Sequence, residues 1–246
     1  AEIDYIFDVL KPVLPGVTLA RKDIVFVMAG VRPLPAQAAS VTGQISRDHR
    51  LDVFAPTDTR PFTTMTLAGG KWTTYRAFAE QVTDRLLADT GRSRKRSTAD
   101  LPIGGARDFP AAGPARDAWV ATLARDSLLP LPRCQVLASR YGSRARQIAL
   151  AESADPARFA AFDAYTPPEI AHICSAERVT RLEDVVLRRT LMGFEGEITE
   201  DRLGQIAAVV GDTLGWDSVR RDAELKDLRT ALMRRHHAPL GAAARR

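Results

Sequence analysis

The chain is predicted to be α+β and mainly α, on three observations. Its first ninety residues mix short β-type runs with helix, the hydrophobic period changes to helical directly after Gly70, and from residue 115 onward amphipathic stretches follow one another between caps and breakers. Ile3 to Leu10 reads as a helix, with Ile3, Ile6, Phe7 and Leu10 on one face and Pro12, Pro15 and Gly16 ending it. Ile24 to Met28 is an apolar, β-branched-rich run of buried-strand type, while Ile45 to Phe54 and Phe62 to Leu67 carry the looser alternation of a half-exposed antiparallel sheet. After Gly70, the residues Tyr75, Phe78, Ala79, Val82 and Leu86 share a helical stripe, and Gly91 is placed to cap its end.

Residues 91–114 are rich in Gly, Pro, Arg and Ser and read as a linker between a first domain, 1–90, and a helical domain, 115–246. In the latter, Trp119, Val120 and Leu123 mark one helix, Pro132 to Arg140 a second stopped at Gly142, and Ser143 to Glu152 a third. Pro168 suits the first turn of a helix carrying Ile170 and Ile173, and Thr180 with Glu183 is expected to form a capping box ahead of Leu182, Val185, Val186 and Leu187. Thr199 is placed to cap a helix ending at Gly215, and Asp217 a last one reaching about Arg235, which makes the second domain a small bundle.

With 45% hydrophobic and 26% charged residues the chain is an ordinary globular sequence, and its net charge of +5 favours anionic partners without choosing among phosphorylated metabolites, nucleic acid or a membrane surface. Two cysteines, Cys134 and Cys174, suggest buried thiols in a reducing compartment. No run is long and apolar enough to span a bilayer, Ala1 to Asp4 has no signal-peptide character, and neither an internal repeat nor a Gly-x-Gly-x-x-Gly after an N-terminal strand is found.

The segment Gly69-Gly70-Lys71-Trp72-Thr73-Thr74-Tyr75-Arg76 runs from a β-type stretch through two glycines into a helix. Such a turn can cradle an anion, since glycine lets the backbone approach a ligand closely and the first N–H groups of the helix point outward with its positive dipole end. A tight strand-to-helix turn with no ligand has the same sequence signature. Arg32 precedes Pro33 at the mouth of the 24–28 run, and Arg47 lies in the run Ile45 to His49. Converging with Lys71, these two arginines would suit a phosphate dianion. His49 is a structural residue or an acid/base group, and Asp48 is suited to hold a neighbouring arginine. Arg92-Ser93-Arg94-Lys95-Arg96 is either a solvated linker or a contact for nucleic acid, without the interleaved aromatics of a single-strand platform. His236-His237 lacks partners at ligand spacing, and no metal site is expected.

Six blocks, in order and spacing, resemble FAD-dependent, quinone-linked glycerol-3-phosphate dehydrogenase: Gly30 to Leu34, Ser46 to His49, Gly69 to Arg76, Leu101 to Gly105, Arg140 to Ser143 and Arg188 to Gly193. The resemblance covers nearly the whole chain and implies a partial substrate-domain sheet and a flavin-domain terminal helix followed by an all-α bundle. It also implies that the N-terminal dinucleotide-binding domain is missing, so that the chain is the C-terminal part of a longer enzyme, inactive alone and with an uncovered sheet that leaves homodimerisation open. In that family sn-glycerol 3-phosphate is oxidised at C2 to dihydroxyacetone phosphate, with hydride passed to FAD and electrons to membrane quinone. The expected location is therefore cytoplasmic, peripheral at the bacterial inner membrane. Carried over, Arg32, Arg47 and Lys71 surround the substrate phosphate, and Gly69, Gly70, Lys71, Trp72 and Thr73 face the flavin. No residue of this chain is assigned as catalytic. The alternative is a basic helical module binding nucleic acid or a protein partner, although no nucleic acid is expected from the resemblance.

Overall fold

Capping residues set many of the element ends in the computed structural model, which describes residues 2–30, 48–69, 71–156, 164–196, 198–238 and 240, excluding the side chain of Trp72. The chain divides into two units, Ala1–Ala29 with Gly104–Arg246, and Gly30–Ile103. This grouping differs from the division read from composition, because residues 1–29 fall in with the helical part and 91–103 with the smaller unit. Arg32 and Arg47 lie outside the described residues, as does Gly70.

In the larger unit, α1 (Glu2–Val13) carries Glu2 and Asp4 in its first turn and Lys11 in its last, charges that complement the helix dipole. None of its residues is buried, and Tyr5, Ile6, Val9 and Val13 are exposed. The expected strand Ile24 to Met28 is not a strand. Its Val27 N–H donates to the carbonyl of His236 at 2.8 Å, beyond the end of the last helix, where no extended neighbour can continue a ladder.

The bundle comprises α3 (Pro114–Ser127), α4 (Leu131–Tyr141), α5 (Ala145–Ala154), α6 (Pro167–Ala176), the short α7 (Leu182–Asp184) continued by a π-helical turn Val185–Arg189, α8 (Glu200–Leu214) and α9 (Ser218–Arg235); α2 belongs to the smaller unit and is described below. Side-chain oxygens of Thr166, Thr199 and Asp217 accept the N–H of Glu169, Arg202 and Arg220, and Gly215 closes α8 at φ +70. The capping box before α7 uses Asp184 rather than the expected Glu183. Asp184 Oδ2 accepts from the N–H of Thr180 and Arg181 at 3.0 and 2.9 Å, while Glu183 binds Arg188 at 2.7 Å. The carboxylate three residues beyond the true cap, Arg181, is the one that can reach back.

Two apolar clusters fill the bundle. One joins α3, α4 and α5 through Leu123, Cys134, Leu137 and Ile148, and the other joins α6 through α9 around Ile173, Val186, Leu203, Ile206 and Leu228. Tyr141 packs against both. Both cysteines are buried free thiols, and burial pushes Cys174 up to about 11.

Charge is buried here as well. Glu152 and Glu169 are fully buried, and Arg133 donates to both, at 2.5 Å to Glu152 and 2.6 Å to Glu169. Arg140 and the Tyr141 hydroxyl complete Glu169 at 3.0 and 2.7 Å, and the Thr166 hydroxyl reaches Glu152 at 2.7 Å. Burial pulls the Arg133 guanidinium down in pKa, but the bonds to the two carboxylates outweigh it and hold it above its ordinary value. Burial, reinforced by Glu169, pushes the Tyr141 phenol up.

The end of the connector crosses the bundle backbone to backbone. A Cβ at Gly105 would stand 1.8 Å from the carbonyl oxygen of Tyr141, and one at Gly142, where φ is +58, would stand 2.3 Å from the carbonyl oxygen of Gly105. Only glycine fits both positions.

The smaller unit holds the antiparallel pair β1 (Arg50–Phe54) and β2 (Thr64–Ala68), in the register Arg50↔Ala68 through Phe54↔Thr64, followed by α2 (Tyr75–Asp89). β1 falls within the first run read from alternation, and β2 begins inside the second and runs one residue past it, to Ala68. Helix α2 ends as expected at Gly91, φ +67, with the Arg92 N–H returning 2.8 Å to the carbonyl of Leu87 and the Gly91 N–H 3.0 Å to that of Ala88. Among its described residues Phe78 alone is buried, so the sheet has little core of its own.

Candidate functional site

The glycine turn is built as the sequence suggests, from β2 into α2. Gly69 sits at φ +71, a conformation that strains any residue with a Cβ, and Lys71 follows in extended conformation as the cap of a 3-10 turn, Trp72–Thr74, that leads into the helix. The Thr74 N–H donates to the carbonyl of Lys71 at 3.0 Å, and the Thr74 hydroxyl donates to the same oxygen at 3.2 Å. The turn is thereby closed on itself, with the Lys71 side chain about half exposed.

Two of the blocks meet here. Lys71 Nζ stands 4.0 Å from Asp48 Oδ1, which brings Asp48, the first described residue of the second block, beside the glycine turn. Asp48, read as a holder of arginine, thus also faces the lysine. His49 stacks on Phe78 at 4.4 Å between ring centroids, its Nε2 is 3.0 Å from Gln81 Oε1, and its Nδ1 is buried without a partner. The ring is thus occupied in tying β1 to α2, the structural role read for it. The structure therefore places Lys71, Gly69 and Thr73 at one turn; whether Arg32 and Arg47 join them falls outside the described residues.

Sequence reasoning missed the acidic face of α2. Arg94 forms a two-bond pair with Asp84, at 2.7 and 3.2 Å, and also pairs with Glu80, which in turn holds Arg76 and Ser97. One cation of the basic run is therefore committed to α2, the helix that precedes it. The signal was present as Glu80 and Asp84, four residues apart on the face toward which the chain returns. Among the described residues there is no group of three or more His, Cys, Asp or Glu able to hold a metal ion, and no helix is long and apolar enough to cross a membrane.

Comparison with known proteins supplies the family. The profile of the C-terminal domain of alpha-glycerophosphate oxidase matches residues 96–221. Over 92% of its length the chain is 29% identical to the mitochondrial glycerol-3-phosphate dehydrogenase of Mus musculus, 29% identical to the glycerol-3-phosphate dehydrogenase of Synechocystis and 30% identical to glycerol-3-phosphate dehydrogenase 2 of Mycobacterium tuberculosis. It spans 31%, 40% and 37% of those proteins respectively. The matched region takes in α3 to α8 and the first turn of α9, and the chain belongs to the family of the alpha-glycerophosphate oxidase C-terminal domain, with homologues that are glycerol-3-phosphate dehydrogenases.

Proposed function

We propose that this chain is the C-terminal part of an FAD-dependent glycerol-3-phosphate dehydrogenase. Its smaller unit would contribute one wall of the substrate-phosphate site and one edge of the flavin site, and its bundle would form a helical cap. The observation that carries this reading is the Gly69 turn, with Lys71 capping the 3-10 turn that leads into α2 and Asp48 beside it. The geometry fits a flavin edge: Gly69 presents no side chain, and the start of α2 directs the positive end of its dipole to the same place. When bound, the flavin supplies the hydride acceptor for oxidation of C2 of sn-glycerol 3-phosphate. Lys71 binds and orients the phosphate, and Asp48 holds the ammonium in position. Arg32 and Arg47 complete the phosphate site in this reading. Electron delivery to quinone, a cytoplasmic location at the bacterial inner membrane and the dinucleotide-binding domain as the missing partner follow from the same assignment. The uncovered apolar residues of α1 and the thin core of the sheet agree with a chain that packs on further polypeptide.

The test is to express the chain fused to the coding sequence upstream of Ala1 and add glycerol 3-phosphate under anaerobic conditions. Flavin bleaching is expected, with Lys71→Ala raising KM on the order of tenfold (about 1.4 kcal/mol), below the range for a fully buried charge because Lys71 is half exposed. A protein that carries FAD and is not reduced by glycerol 3-phosphate would overturn the substrate assignment, and an unchanged KM would remove Lys71 from the site.

A further inference from the structure

The ion pair at the glycine turn is not built to hold itself in place. Lys71 Nζ and Asp48 Oδ1 are 4.0 Å apart with both side chains more than half exposed, and a solvated pair at that distance does little to fix its own geometry. Asp48 also lies outside the strand ladder, whose register begins at Arg50↔Ala68. The residue between Asp48 and the ladder is His49. Its ring stacks on Phe78 at 4.4 Å between centroids and 26° from parallel, and its Nε2 is 3.0 Å from Gln81 Oε1. Phe78 and Gln81 are three residues apart on α2 and share a face, so the imidazole grips the helix at two points.

A wholly apolar ring would stack on Phe78 as well. A carboxamide oxygen only accepts, so Nε2 carries the ring proton, and Nδ1 is left as an acceptor that is buried without a partner. Burying that lone pair is unfavourable, and the bond to Gln81 is what an imidazole adds over a phenyl ring. The glycine turn is therefore held at both ends. Ala68 is fixed by Arg50 across the strand pair, and α2 is fixed by His49, the neighbour of Arg50 in the chain. We propose that His49 is a positioning residue for Lys71. By docking α2 onto the residue beside Asp48, it sets the distance between carboxylate and ammonium, and so aims the ammonium that the function proposed above assigns to the substrate phosphate. The role rests on that reading, and it is geometric, with no proton transferred through the ring.

Two readouts test this. Amide hydrogen exchange of the chain itself, which needs neither flavin nor substrate, reads the turn through Thr74, whose N–H donates to the Lys71 carbonyl at 3.0 Å. Exchange there should be about fivefold faster in His49→Ala than in the wild type, with the amides of α6 and α8 unchanged as a control for folding. His49→Phe keeps the stack and loses the bond, His49→Gln keeps a donor and loses the stack, and both should fall between. In the enzyme fused to its upstream sequence, His49→Ala should raise KM for glycerol 3-phosphate about fivefold while kcat changes less than about twofold. In a Lys71→Ala background the same change should raise KM by less than about twofold more, because the group that His49 aims is gone. Unchanged exchange at Thr74 in His49→Ala overturns the grip. Effects on KM that multiply in the double variant overturn the positioning of Lys71, since a merely structural loss would add to the loss of the charge. An unchanged KM in Lys71→Ala alone removes Lys71 from the proposed site and the positioning role with it. Absence of turnover by the fused wild-type enzyme counts against the proposed function, and exchange at Thr74 still decides the grip.

Discussion

Arg133 offers the sharpest test of what holds the bundle together. Its side chain is 12% exposed and bridges two carboxylates that are 0% exposed. Replacing it with Met keeps most of the stem volume and removes the charge. Glu169 then retains Arg140 and Tyr141, but Glu152 keeps only the Thr166 hydroxyl among the donors described above, and a buried carboxylate with one neutral donor is costly. Removing one member of a buried ion pair costs about 3–5 kcal/mol, and at about 2–4 °C per kcal/mol for a chain of this size the melting midpoint should fall by about 6–20 °C. The assay is thermal and urea unfolding followed by far-ultraviolet circular dichroism. The double variant Arg133→Met with Glu152→Met removes both the arginine and the carboxylate it strands, and should recover to within about 2 kcal/mol of the wild type. A single variant within about 1 kcal/mol of the wild type would refute the argument that the charges are mutually required. A double variant no better than the single would place the loss in packing.

Three further outcomes follow. Gly142→Ala forces a Cβ against the Gly105 carbonyl in a left-handed conformation and should cost on the order of 3 kcal/mol in urea unfolding. His172 has a buried, unpartnered Nε2, and its pKa is held below the ordinary histidine value mainly by burial, with Arg144 pushing the same way against Glu177 and Glu169. The unfolded chain therefore binds more protons, the contribution of His172 to stability is present above about pH 6.5, and it is lost as pH falls through the lower folded value. His172→Phe should flatten the stability profile between pH 5 and 7, and an unchanged slope would mean that the loss arises elsewhere. In the fused enzyme, Arg32→Ala should cost about 2–5 kcal/mol of substrate binding by stripping a partner from a desolvated dianion, measured as kcat/KM; near-unchanged kinetics would remove it from the site.

The sequence makes local features legible and distant ones opaque. Gly91, Thr199, Gly215 and Asp217 declare helix ends because each acts within a few residues of itself. The two strands are visible in their alternation and the glycine turn in its composition. Ile24 to Met28 has the composition of a buried strand, yet its hydrogen-bonding partner is 209 residues away and belongs to no strand, a fact that local pattern cannot hold. The buried carboxylates are hidden for a related reason: Pro168 marks the start of α6, but the pairing of Glu169 with Arg133 depends on the approach of α4, 36 residues away in the chain. At the site, Lys71 was found from its neighbours in the chain, whereas Asp48 as its counter-charge depends on the pairing of β1 with β2.

Tyr141 has a consequence for how the bundle melts. Its ring lies against both apolar clusters and its hydroxyl reaches Glu169, so the α3 to α5 half cannot loosen without exposing part of the α6 to α9 half and stranding a carboxylate. Two cores that would otherwise behave as separate folding units are joined by this ring together with the bonds of Arg133, Arg140 and Thr166 to the buried carboxylates, and they should lose their structure in one cooperative transition rather than two.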